Sequence, residues 1–237
     1  VASRKEQKEA LRREREERER AAKAAERRRR LIGYGAGGVL ALAAIIAIAA
    51  VLVSGGGKGG GKSETAFPGG GHAPGPGVTD LKAAARAANC TMRSVKATSR
   101  NHTQSLSDHV KYSTNPPTSG KHYFNPPADG VYGTAPQDEQ VVHGEEHGRV
   151  IIWVKPSLPK SARANIRALF DEDSSGMLLV PRPNMPYDVA VTAWGAVPQP
   201  LGRGYLMGCS RYSPKLFDAI RDFRDAHRGK GPEPVPF

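Results

Sequence analysis

Residues 141–156 read VVHGEEHGRVIIWVKP, and the way this stretch divides decides the fold. Its second half, Val150–Val154, is a short run of Val, Ile and Trp of the kind that forms strands. Its first half is ambiguous. Gln140–His143 reads as another short strand, while His143 and His147 stand four apart with Gly144 and Gly148 following each. If the segment is helical, both imidazoles share one face; if it is a hairpin, a three-residue Gly-Glu-Glu loop sets them across from each other. Either way the two rings come close. Downstream, Lys160–Asp171 places Ala162, Ile166, Leu169 and Phe170 on one helical face. Met177–Val180 and Asp188–Trp194 are further strand candidates. A last helix opens with Ser213 as N-cap and Pro214 as its first residue, buries Leu216, Phe217, Ile220 and Phe223, and ends near Gly229. Upstream, Met92–Thr98 is a strand candidate, preceded by a short Ala-rich helix with Thr79 or Asp80 as N-cap and Asn89 as its stop. The order β-α-β-β-α predicts one α+β domain over residues 79–237, a small mixed or antiparallel sheet covered by helices.

The 237-residue chain carries 35 Lys and Arg against 23 Asp and Glu, with much of the excess at its start. Residues 1–30 hold thirteen Lys/Arg and seven Glu, with Leu11 as their only large aliphatic, so there is no stripe for a coiled coil to bury. Glu9 with Arg13, Glu14 with Arg18 and Glu16 with Arg20 are spaced for a solvated cytoplasmic helix. The interleaved Glu cancels the field that nucleic-acid binding needs, which argues against that class of partner. Leu31–Val53, LIGYGAGGVLALAAIIAIAAVLV, has no charge over 23 residues. At ~1.5 Å per residue this is roughly 34 Å, the thickness of a bilayer core, so a transmembrane helix is expected at 31–53 with the lipid bilayer as its partner. A secretory leader would have a shorter apolar region and a small-residue cleavage site. Arg27–Arg30 abut the span, so the positive-inside rule puts residues 1–30 in the cytoplasm and the C-terminal domain outside. Residues 54–78, rich in Gly and Pro, are expected to be a flexible tether in which nothing packs, His72 included.

Cys90 and Cys209, the only cysteines, then lie in an oxidising compartment and are expected to pair. A redox pair would show C-x-x-C, which is absent. Four of the seven histidines fall between His109 and His147. In HVKYSTNPPTSGKHYFNPP, His109–Pro127, four prolines build a stiff loop, with Pro116, Pro117, Ser119 and Gly120 positioning His122 and Tyr123. His143, Glu146 and His147 match H-x-x-E-H, but the flanking glycines argue against the long helix of an inverted zinc protease. Three readings stand. One is an extracytoplasmic binding domain with Cu or Zn at His109, His122, His143 and His147, and Glu146 or Met185 as a further ligand. Another is an envelope hydrolase with Glu146 as general base. The last is a module for an envelope protein partner, with structural histidines and an exposed apolar patch near Tyr123, Phe124 and Tyr132.

NPPTSGKHY at Asn115–Tyr123, GVYG at Gly130–Gly133, VVHGEEHGRVIIWVKP at Val141–Pro156 and VAVTAWG at Val189–Gly195 together resemble the bacterial domain-of-unknown-function family numbered 3105. The resemblance runs from Cys90 to about His227. It implies a single-pass envelope protein with a basic N-terminus and supplies no activity. Its motif, mapped onto this chain, takes in His109, His122, His143, Glu146 and His147. Glu145 stands where many members have Leu, and Lys121 where Pro is usual; neither change touches a histidine.

Overall fold

The computed structural model describes residues 65–237. Its centre is a six-stranded mixed sheet in the order β1-β8-β7-β5-β6-β4, built from β1 (Cys90–Lys96), β4 (Gly130–Val131), β5 (Val150–Val154), β6 (Met177–Pro181), β7 (Val189–Gly195) and β8 (Arg203–Cys209). The β1–β8, β8–β7 and β7–β5 pairs are antiparallel, whereas β5–β6 and β6–β4 are parallel. A separate parallel pair, β2 (His102–Thr103) with β3 (His122–Tyr123), lies outside this sheet. The α+β expectation holds, and the sheet is mixed.

The strand VIIWV explains the layering, because all five of its residues are buried. Val150, Ile152 and Val154 pack on one face with α1 (Leu81–Ala87), α3 (Lys160–Glu172) and α4 (Leu216–His227). Ile151 and Trp153 pack on the other face with Val141 of α2 (Asp138–Glu146) and Met185. Helix α1 starts where expected, with the Asp80 carboxylate accepting the Ala83 N–H at 2.8 Å, and Asn89 just beyond it takes φ 53°. Cys90 and Cys209 are directly opposed in the β1–β8 register and form the expected disulfide.

The last helix starts at Leu216, with Lys215 and not Ser213 at its N-cap, and the structure departs further from the sequence reading in three places. Gln140–His143 is not a strand; it lies inside α2, where Gln140 Oε1 accepts the Gln137 N–H and Asp138 and Glu139 occupy the first turn. That capping and those acidic residues at the positive end of the helix outweigh the strand preference of two valines. Gly148, at φ +87°, stops the helix after His147 in the left-handed conformation expected of such a glycine. Strand β8 and the two-residue strands β2, β3 and β4 were unforeseen. The latter half of the supposed tether also packs: Phe67 is 1% exposed in the core, and Arg163 donates to the carbonyls of Thr65 and Ala66. Arg221 holds the Pro74 carbonyl at 2.6 Å, and Asp218 accepts the Gly77 and Val78 N–H groups. The expected cytoplasmic helix, transmembrane span and first part of the tether lie outside the described residues. Among the described residues no helix is long and apolar enough to cross a membrane.

Candidate metal centre

Three elements bring the centre together. The β2–β3 pairing sets His102 opposite His122 in register, and α2 presents His143 and Glu146, three apart, on one face. The imidazole centroids of His102, His122 and His143 are 4.6–4.9 Å apart. One ligand atom from each of His102, His122, His143 and Glu146 lies within 4.8 Å of all the others.

The rings are fixed by the backbone. His122 Nδ1 is 2.7 Å from the Gly120 carbonyl and His143 Nδ1 is 2.6 Å from the Tyr123 carbonyl. A carbonyl can only accept, so each Nδ1 carries the proton and each Nε2 is left with a lone pair unless the ring is charged. Those carbonyls belong to the proline-stiffened loop, whose Pro116, Pro117, Ser119 and Gly120 are all buried. Glu146 divides its carboxylate between two tasks. Its Oε1 accepts from Arg100 Nε at 2.7 Å, while its Oε2 faces His122 Nε2 at 3.0 Å and His102 Nε2 at 3.9 Å.

That last contact defines the site. His122 Nε2 and Glu146 Oε2 are both buried and neither is aligned in a hydrogen bond. A lone pair facing a carboxylate oxygen at 3.0 Å repels unless a positive charge lies within reach of both. Ligands about 2.0–2.1 Å from a tetrahedral ion are roughly 3.4 Å from one another, and the two separations from Glu146 Oε2 bracket that edge. A proton on His122 Nε2 would answer the same pair but would leave the convergence of His102 and His143 without a purpose.

The electrostatics suit a cation. Burial first, and then the neighbouring imidazoles, push the His143 pKa down to about 4, against the opposing hydrogen bond to Tyr123, so at neutral pH it is an uncharged ligand. In the metal-free site burial would raise the Glu146 carboxyl, but a proton held between it and His122 Nε2, with the Arg100 guanidinium on Oε1, overcomes that and holds it at about 2; a bound ion would take the place of that proton. A carboxylate that acidic is a ready metal ligand and a poor general base near neutral pH. Its chain neighbour behaves oppositely: Glu145 is fully buried, and burial pushes its pKa well above the usual range.

Of the residues singled out in the sequence, His122, His143 and Glu146 are in the group, and His109 and His147 are not. His109 is exposed on its loop, and His147 ends α2 with Nδ1 donating to the Glu233 carbonyl at 2.8 Å. The His147 ring still lies 4.5 Å from that of His143. Met185 packs in the core beside Trp153. His102 and Arg100 were missed; His102 is placed by pairing with a strand some twenty residues later in the chain, and neither residue sits in a pattern that points to a metal. Of the expected apolar patch, Phe124 is 50% exposed against Tyr123, whereas Tyr132 packs toward the core.

No curated protein and no solved structure matches the chain. The family described as Protein of unknown function (DUF3105) matches residues 102–235, a segment that begins at His102 and takes in all four members of the cluster. The chain therefore belongs to that family of unknown function, as its proline loop and H-x-x-E-H segment implied.

Proposed function

We propose that this protein is a membrane-anchored extracytoplasmic domain that binds one zinc or copper(II) ion through His102, His122, His143 and Glu146. The observation that carries the reading is the buried, unaligned contact between His122 Nε2 and Glu146 Oε2. Three imidazoles and a carboxylate, with no sulfur among them, suit Zn(II) or Cu(II) over Cu(I). Four protein donors fill a tetrahedral shell, the arrangement of a holding site, which favours metal handling or envelope assembly over hydrolysis. His102, with 36% of its side chain exposed, gives the ion its way in. The disulfide and the charge-flanked apolar run at 31–53 support the location outside the membrane.

The test is metal titration of the full chain beside His122→Ala and His143→Ala variants. One equivalent of zinc or copper is expected, with affinity lowered at least about 100-fold in either variant. Copper should also quench Trp194, whose ring is 5.8 Å from that of His122. A wild-type chain that takes up no stoichiometric metal while its disulfide and fold are intact overturns the reading.

A further inference from the structure

The chain ends in GPEPVPF, Gly231–Phe237, in which Pro alternates with other residues. Prolines at 232, 234 and 236 stiffen the segment and remove its donors, so between 232 and 236 only Glu233 and Val235 keep an N–H. Both are spent on one place. The Glu233 N–H donates to the Glu146 carbonyl at 3.0 Å, and the Val235 N–H donates to the His147 carbonyl at 3.4 Å. These are carbonyls that the end of α2 leaves without helical partners. The Glu233 carbonyl accepts His147 Nδ1–H, and its carboxylate receives Arg100 Nη2 at 3.3 Å while Arg100 Nε holds Glu146. Arg149 adds a bond to the Val235 carbonyl and lies 5.2 Å over the Phe237 ring. At Gly231 the tail is so close to the helix end that a Cβ would come 2.2 Å from the Glu146 carbonyl oxygen.

We propose that Glu233 is a positioning residue of the metal centre, and that residues 231–237 form a strap which sets the Glu146 ligand through Arg100 and the end of α2. The inference rests on the metal reading above and adds its regulation. The strap touches no metal ligand atom; it fixes the backbone of Glu146 and the guanidinium that orients its carboxylate. Outer partners of this kind typically change metal affinity 10–100-fold. Linkage then requires the converse: metal must hold the strap down by the factor that the strap tightens the metal.

The experiment compares the full chain with Glu233→Ala and with a chain ending at Lys230. It measures zinc affinity, the copper(II) spectrum, and hydrogen exchange of the Glu233 and Val235 amides with and without zinc. The shortened chain is expected to bind zinc 10–100-fold more weakly with a shifted copper spectrum, and zinc is expected to slow both amides in the full chain by a similar factor. Should the shortened chain fail to fold, Glu233→Ala decides, because its side chain is 57% exposed and its loss leaves both strap N–H bonds in place. A shifted copper spectrum and roughly tenfold weaker binding in that variant support the role. Unchanged affinity, spectrum and exchange overturn the strap while leaving the metal site standing. A full chain that binds no metal overturns both.

Discussion

His227 lies away from the metal cluster, in α4, with its ring 4.4 Å from those of Tyr205 and Phe223. Burial, and then the nearby Lys230, push its pKa down to about 4. In the unfolded chain it titrates near its ordinary 6.5, so between those values the unfolded state binds more protons than the folded one. Stability is therefore full above pH 6.5 and falls as pH drops toward 4, by up to about 3 kcal/mol from this group. Urea midpoints measured from pH 7 to 4.5 should decline, and His227→Phe should flatten part of that decline; an identical slope in the variant would show that His227 is not its source. The same dependence on burial limits what can be read at this scale from sequence alone. Glu145 and Glu146 are indistinguishable as letters, yet one is a buried acid of raised pKa and the other a charged partner of Arg100. His122 and His143 were legible because proline and glycine punctuate the chain around them, whereas His102 carries no such mark.

Among the elements, the apolar ones were legible and those shaped by close packing were not. Strands β5, β6 and β7 and helices α3 and α4 lie within a few residues of their expected places, since each is a run of buried apolar side chains at one period. Strand β8, RGYLMGC, was overlooked because glycines weaken a strand pattern, and here both serve contacts from elsewhere in the chain. A Cβ at Gly208 would sit 2.3 Å from the Tyr187 ring. At Gly204 it would sit 2.1 Å from Thr118 Oγ1 and 2.8 Å from Ser119 Oγ. The loop that orients His122 thus rests on bare backbone of β8. Gly204→Ala should cost about 1–3 kcal/mol in urea unfolding and, by shifting Gly120 and its bond to His122, weaken metal binding as well. Gly69→Ala, where nothing lies within 4 Å, is the control and should change stability by less than about 0.5 kcal/mol. Equal effects at the two positions would mean that the loop does not depend on this contact.

At the scale of the whole molecule, the folding unit is longer than either the family segment or the domain expected from sequence. The match begins at residue 102, after β1 and Cys90, so a piece cut to it would leave Cys209 unpaired and β8 as a bare sheet edge. A piece beginning at 79 keeps the strand and the disulfide but loses Phe67, which fills the core between sheet and helices from inside a Gly- and Pro-rich stretch. That composition is why the stretch reads as a tether: one aromatic among glycines makes no periodic pattern, and its burial comes from side chains of α3 and α4 far along the chain. The glycines assist it, since a Cβ at Gly71 would come 2.1 Å from the Ala164 carbonyl oxygen where the segment crosses α3. Emptying a site of this size typically costs about 3–5 kcal/mol, about a fifth or more of a domain's stability. Phe67→Ala in the full chain should therefore lower the unfolding free energy by about that amount. A piece starting at 79 should lose at least as much, because it also gives up the bonds from Arg163, Arg221 and Asp218 to residues 65–78. Denaturant unfolding of the two, with the disulfide intact, checks this: a Phe67→Ala loss below about 1 kcal/mol would return residues 65–78 to the status of a tether and place the start of the folding unit at α1.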